Sequence, residues 1–263
     1  MVQLRHLRTG QRSAAFMALA LWFSSLAQSQ TGLAKQDREL PGVRVPFVSC
    51  RSDGQAGPVE APKEVEKVIR IDPSAGQKLA YYESSVAPGV LAPRGWSCFG
   101  AYGSGGSVFF VRPEPFDENK PFPLADITGQ VVMIESMWGE GSGTIPVAHV
   151  IARVFPKRRA FVQGAIAGFD FLASEITYGP YPTDKLIYRS DEIVEYVTRP
   201  NSSGLGTMNR VKPNNESIEG VAILEGATPD LLLLTMRLPP DMQEFKSQII
   251  QQVEGEASRQ TTR

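Results

Sequence analysis

The run Leu231-Leu232-Leu233-Leu234 constrains the fold of this chain more than any other segment. It opens an apolar stretch from Leu231 to Leu238, and a second apolar stretch, Ile218 to Leu224, precedes it across Gly226-Ala227-Thr228-Pro229. Two such runs joined by a short turn containing glycine and proline read as a β-hairpin. A strand without polar alternation has both faces covered, so the second strand is predicted to be central in its sheet. Pro239-Pro240 stops it, because proline cannot donate to a strand ladder. Asp241 then caps a terminal helix that turns Met242, Phe245, Ile249, Ile250 and Val253 inward.

The rest of the chain reads as short strands around a few helices. Val43 to Ser49 and Glu64 to Ile71 are rich in β-branched residues and predict strands. Asp72-Pro73 is an N-cap followed by a first helical position, and it predicts a helix of roughly three turns with Leu79 and Tyr82 on one face. Trp96 to Tyr102 and Ser107 to Arg112 form a hairpin through Ser104-Gly105-Gly106. Val131 to Ser136 is a compact strand, followed by a glycine-rich turn and a helix from Ile145 to Phe155, ended by Pro156. Ala160 to Phe171, interrupted by Gly164 and Gly168, fits helix or strand. Lys185 to Thr198 has strand character, and Asn201 to Gly206 is a polar loop. The fold class is α+β, with a mixed or mainly antiparallel sheet, a few packed helices and one disulfide.

The N-terminus bounds the compartment. Arg5, Arg8 and Arg12 precede the apolar run Ala14 to Ala27, which ends in Ser25-Leu26-Ala27, the order of a secretory signal peptide. That run is too short to span a bilayer. Residues 1–27 are predicted to be removed, leaving 28–263 as one exported domain, with any sub-boundary near 113–125. The removed segment holds three Arg and no Asp or Glu, so the net charge moves from −1 to −4. An acidic exported protein has no electrostatic case for nucleic acid or anionic lipid. The basic run Lys157-Arg158-Arg159 is too small for a polyanion groove and reads as a solvated surface.

Cys50 and Cys98 are the only cysteines, and an even pair in an oxidising compartment predicts a disulfide. With them bridged and only His149 left in the mature chain, no transition-metal site of ordinary composition can be assembled, and no cofactor is predicted. Two features carry candidate chemistry. Gly139, Gly141, Ser142 and Gly143 lie between a strand and a helix N-terminus, where backbone N–H groups can hold an anion. Their spacing matches no dinucleotide or P-loop motif, and Glu140 would repel a phosphate; a plain connection is the simpler reading. Glu135, Ser142 and His149 contain the residue types of a nucleophile relay. The G-x-S-x-G elbow is absent, and His149 falls off the helix's apolar stripe, as a surface histidine would.

The segments Val48-Ser49-Cys50-Arg51-Ser52-Asp53-Gly54, Leu91-Ala92-Pro93-Arg94-Gly95-Trp96-Ser97-Cys98-Phe99-Gly100 and Gly220-Val221-Ala222-Ile223-Leu224 resemble a family of exported bacterial proteins with no assigned activity. The resemblance implies an exported globular protein and carries over no catalytic residues. Three function classes follow, in order. First is a non-enzymatic binding or accessory module of the cell envelope or periplasm. Second is a hydrolase using Ser142, His149 and Glu135. Third is a structural or interaction protein displaying the loop from Tyr178 to Tyr181. A concave apolar pocket separates the first class from the third.

Overall fold

The structure, a computed structural model, describes residues 40–63, 65–116 and 126–260. The predicted leader, its cleavage point and residues 117–125 of the proposed sub-boundary lie outside them.

The tetraleucine segment occupies the place its apolar pattern predicts. Strands β12 (Ile218–Glu225) and β13 (Asp230–Arg237) form the hairpin, and β13 pairs on its other edge with β9 (Val131–Met137). Beyond β12 come β11 (Ile193–Thr198) and β10 (Asp184–Tyr188); beyond β9 come β8 (Gly106–Arg112), β7 (Ser97–Gly103) and β3 (Ser52–Gly54). In this eight-stranded sheet only β3 and β7 run parallel. Leu231 to Leu238 are all buried, so both faces of β13 are covered by other layers.

Leu231 and Leu233 pack with Val147, Val150, Ile151 and Val154 of α2 (Thr144–Val154) and Val162 of α3 (Arg159–Gly168). Leu232, Leu234 and Met236 point the other way. There they meet Ile249, Ile250 and Val253 of α5 (Lys246–Gln260) and a three-stranded sheet, β2 (Phe47–Cys50), β5 (Leu79–Ser84) and β6 (Ala87–Pro93). Each fully buried leucine contributes about 1.5–3 kcal/mol of transfer free energy. The Gln252 side chain of α5 accepts from the Leu91 N–H at 2.9 Å and donates to the Gly89 carbonyl at 3.2 Å, so the helix covers the free edge of β6.

The structure changes three local expectations. Helix α1 (Pro73–Lys78) is only six residues, and Leu79 and Tyr82 belong to strand β5. Leu79 to Tyr82 are buried without interruption, and they pair with Phe47–Cys50 on one edge and Ala87–Pro93 on the other; a helix would bury only one stripe. Pro46 divides the predicted first strand, so β1 (Gly42–Val45) pairs with β4 (Lys67–Arg70) while β2 joins the three-stranded sheet. The strand character of Lys185 to Thr198 is carried by two strands, the antiparallel pair β10–β11. Asp241 lies inside a 3-10 turn, Pro240–Phe245, and α5 begins at Lys246. The undecided stretch after Pro156 is helical, as α3 and the short α4 (Leu172–Glu175).

Cys50 and Cys98 form a disulfide with Cα atoms 5.6 Å apart. It joins β2 of the small sheet to β7 of the large one, tying two layers whose ladders share no strand. Trp96 and Cys98 pack against the same core. Closing a loop of 48 residues' separation restricts the denatured chain by about 4 kcal/mol in the chain-entropy account. Cys98→Ser is expected to lower stability by about 2–5 kcal/mol. Chemical denaturation of both forms measures this, and coincident transitions would contradict a stapling role.

Candidate functional site

Strand β9 carries one acidic residue, and the only other polar residue in it is Ser136. Glu135 stands opposite Val108 of β8 and Leu233 of β13, on the face that β9 presents to α2. It is only 8% exposed. An isolated charge at such a position is costly, so the local structure has to supply a partner or favour the protonated form. It does both. Asn209 donates through Nδ2 to both carboxyl oxygens, at 2.9 and 2.8 Å. Burial pushes the Glu135 carboxyl above the ordinary glutamate range, against the smaller opposing pulls of the Asn209 amide and the Arg210 charge.

Asn209 reaches this place through a chain of polar contacts that starts at the β10 edge of the sheet. Asp184 of β10 accepts from the Leu205 N–H at 2.7 Å and from the Thr198 hydroxyl at 2.8 Å. Thr198 in turn accepts from the Gly206 N–H at 3.1 Å, which fixes the 3-10 turn Leu205–Thr207 immediately before Asn209. On the far side, Val211 bridges to Ile127. Arg237, 1% exposed, donates to the carbonyls of Thr128, Gly129 and Lys212. The segment from Leu205 to Lys212 is thereby held at both ends, with Asn209 aimed at β9.

Above the pair lies an open cleft of about 300 Å³. Tyr102, Gly103 and Val108 form one wall, Met137 and Pro146 another, and Glu135, Asn209 and Arg210 the polar part. The tip of the β7–β8 hairpin rests directly on the turn between β9 and α2, with the Trp138 N–H donating to the Gly105 carbonyl at 3.1 Å. A Cβ on Gly143 would lie 2.1 Å from the Trp138 carbonyl oxygen and 2.6 Å from that of Gly105, so only glycine permits the approach. Ser104 and Ser142 close it with a hydroxyl contact of 2.8 Å.

Each residue singled out in the sequence has a definite place. Glu135 is bonded to Asn209, Ser142 meets Ser104, and His149 Nε2 stands 4.0 Å from the Glu175 carboxylate on α4. Among the described residues no hydrogen bond joins these three to one another. In the glycine turn, the Gly139 N–H donates to Asp230 at 2.7 Å, the Gly143 N–H to the Glu140 carbonyl at 3.3 Å, and the Thr144 N–H to the Gly141 carbonyl. A carboxylate of the protein itself therefore occupies one of the turn's donors. Gly141 takes φ +59° beside open space. The basic run is also engaged: Lys157 pairs with Asp191, Arg158 with Glu192, and Arg159 lies over the Tyr178 ring. Among the described residues no group of three or more His, Cys, Asp or Glu side chains is placed to hold a metal ion.

Asn209, Tyr102 and Arg210 were not legible as site residues. The one available signal was Glu135 itself, a lone acid in an apolar strand, which demands a partner without naming it.

A raised carboxyl pKa means that the folded state binds more protons than the unfolded chain between the ordinary glutamate value and its own. Stability therefore falls as pH rises through that window, and the contribution is fully present below it. Asp184, Glu225, Glu254 and Glu256 share this direction, each chiefly through burial. Glu135→Gln removes one of the five titrations. Its melting temperature should gain on the wild type between pH 4 and pH 8, and parallel curves would show that ionising Glu135 costs the fold nothing.

No protein-family model, no curated protein and no solved structure matches this chain.

Proposed function

We propose that the protein is an exported, non-enzymatic binding module of the cell envelope or periplasm, and that it holds a small molecule in the cleft above Glu135. One observation carries the reading: a buried, hydrogen-bonded carboxyl forms the floor of an open cleft whose walls are mostly apolar. Apolar walls with a few placed polar groups are the composition of small-molecule sites. Keeping an acid on a central strand destabilises the fold at neutral pH, a cost that a binding role explains. The separate partners of Ser142 and His149 favour binding over hydrolysis by those residues.

Export is supported by the leader-like N-terminus and by the Cys50–Cys98 bond. Among the described residues no helix is long and apolar enough to cross a membrane.

A fragment screen read by amide chemical shifts tests the proposal. Binders should perturb residues 101–108, 135–137 and 209–210 as one group. Gly103→Trp places a ring at the cleft wall, where the added Cβ has open space apart from the Gln55 side chain at 4.0 Å. It should abolish those shifts while the rest of the spectrum is retained. A screen in which no fragment perturbs the cleft, or in which the variant responds as the wild type does, would overturn the reading.

A further inference from the structure

The floor of the cleft carries two hydrogen-bonding functions that the protein leaves unmatched. Asn209 spends its Nδ2 on Glu135, and among the described residues nothing donates to its Oδ1. Both oxygens of the Glu135 carboxyl accept from the same Asn209 amide, at 2.9 and 2.8 Å. In its protonated form the carboxyl has one O–H donor to offer. The Tyr196 hydroxyl, from β11, is engaged with the Leu234 carbonyl at 2.9 Å and the Thr235 hydroxyl at 2.8 Å, and Arg210 brings positive charge from the same segment as Asn209.

A donor and an acceptor on the polar floor of an apolar-walled cleft select a ligand group with the opposite pair. A cationic amine offers donors only and needs the buried carboxyl ionised, which burial opposes. A carboxylate offers acceptors only and leaves Asn209 Oδ1 without a donor. An ester lacks the N–H. A primary carboxamide presents a carbonyl acceptor and an N–H donor on one edge.

Resting on the reading of this cleft as a ligand site, we infer that its ligand carries a primary carboxamide, the carbonyl accepting from Glu135 and the N–H donating to Asn209 Oδ1. The non-polar remainder of the ligand lies against Tyr102, Val108, Met137 and Pro146. A site built to hydrogen-bond one group discriminates strongly against analogues that leave its polar atoms unmatched.

Three probes of one shape test this: benzamide, methyl benzoate and benzylamine, titrated at pH 5 and pH 8 against the full secreted protein by ligand-observed NMR. Benzamide should bind at least about tenfold more tightly than either of the others at pH 5. Its affinity should fall at pH 8. Glu135→Leu should lose at least about tenfold for benzamide, since a matched donor is gone. Glu135→Gln retains an N–H donor, so it should hold benzamide with no difference between the two pH values. That last result distinguishes hydrogen bonding to the ligand from a merely structural role, and it stands even where the leucine variant fails to fold. Benzylamine binding as tightly as benzamide, equal binding of all three, or a pH response surviving in Glu135→Gln overturns the carboxamide assignment and leaves the cleft a ligand site. Absence of binding by all three probes overturns both.

Discussion

Two-sided burial of β13 is the constraint on which this architecture depends. Successive side chains of a strand point to opposite faces, so a strand buried from Leu231 to Arg237 must be covered above and below. One layer cannot do that. The α2–α3 pair covers one face, and α5 with the β2–β5–β6 sheet covers the other. Leu79–Tyr82 are likewise buried without interruption, as the central strand of the small sheet between β2 and β6. The disulfide then fixes the small sheet to the large one at the β2–β7 crossing.

The site is a consequence of this layering. A carboxyl placed on β9 beside such a strand is removed from water by the fold itself. Its partner comes from the connection between β11 and β12, which is anchored by Asp184 on one flank and by the buried guanidinium of Arg237 on the other. Arg237 donates through Nη1 and Nη2 to three carbonyl oxygens while its Nε stays unpaired, and burial pulls its pKa below the ordinary arginine value. Two buried ionisable groups on adjacent strands thus serve different ends: Arg237 orders the loop, and Glu135 faces the cleft that the loop completes.

Much of the large sheet was legible in the sequence, because the β12–β13 and β7–β8 segments are continuous apolar runs, α2 carries a helical apolar stripe, and all are bounded by Gly or Pro. The disulfide followed from cysteine count and compartment. Where the reading failed, tertiary context overrode a local signal. Asp72-Pro73 does start a helix, but the apolar run after it is claimed by β5, and the partner strands that claim it are distant or weakly patterned. Pro46 separates two strands that the β-branched run made appear continuous. In the site, Glu135 was visible as an anomaly, whereas Asn209 was not, since a side chain fixed by Asp184, Thr198 and Arg237 owes its position to residues remote in sequence. The contact between Ser104 and Ser142 is similar: each glycine turn was readable alone, and their mutual approach was not.

The character of the cleft depends on the protonation of a single carboxyl group, and a carbon-detected NMR titration of Glu135 measures it directly. The side-chain carboxyl resonance should titrate with a midpoint above the ordinary glutamate value of about 4.3. Replacing Asn209 with alanine should move the midpoint further up, because the amide favours the charged form. A midpoint at or below the ordinary value, unmoved by the alanine substitution, would contradict the account.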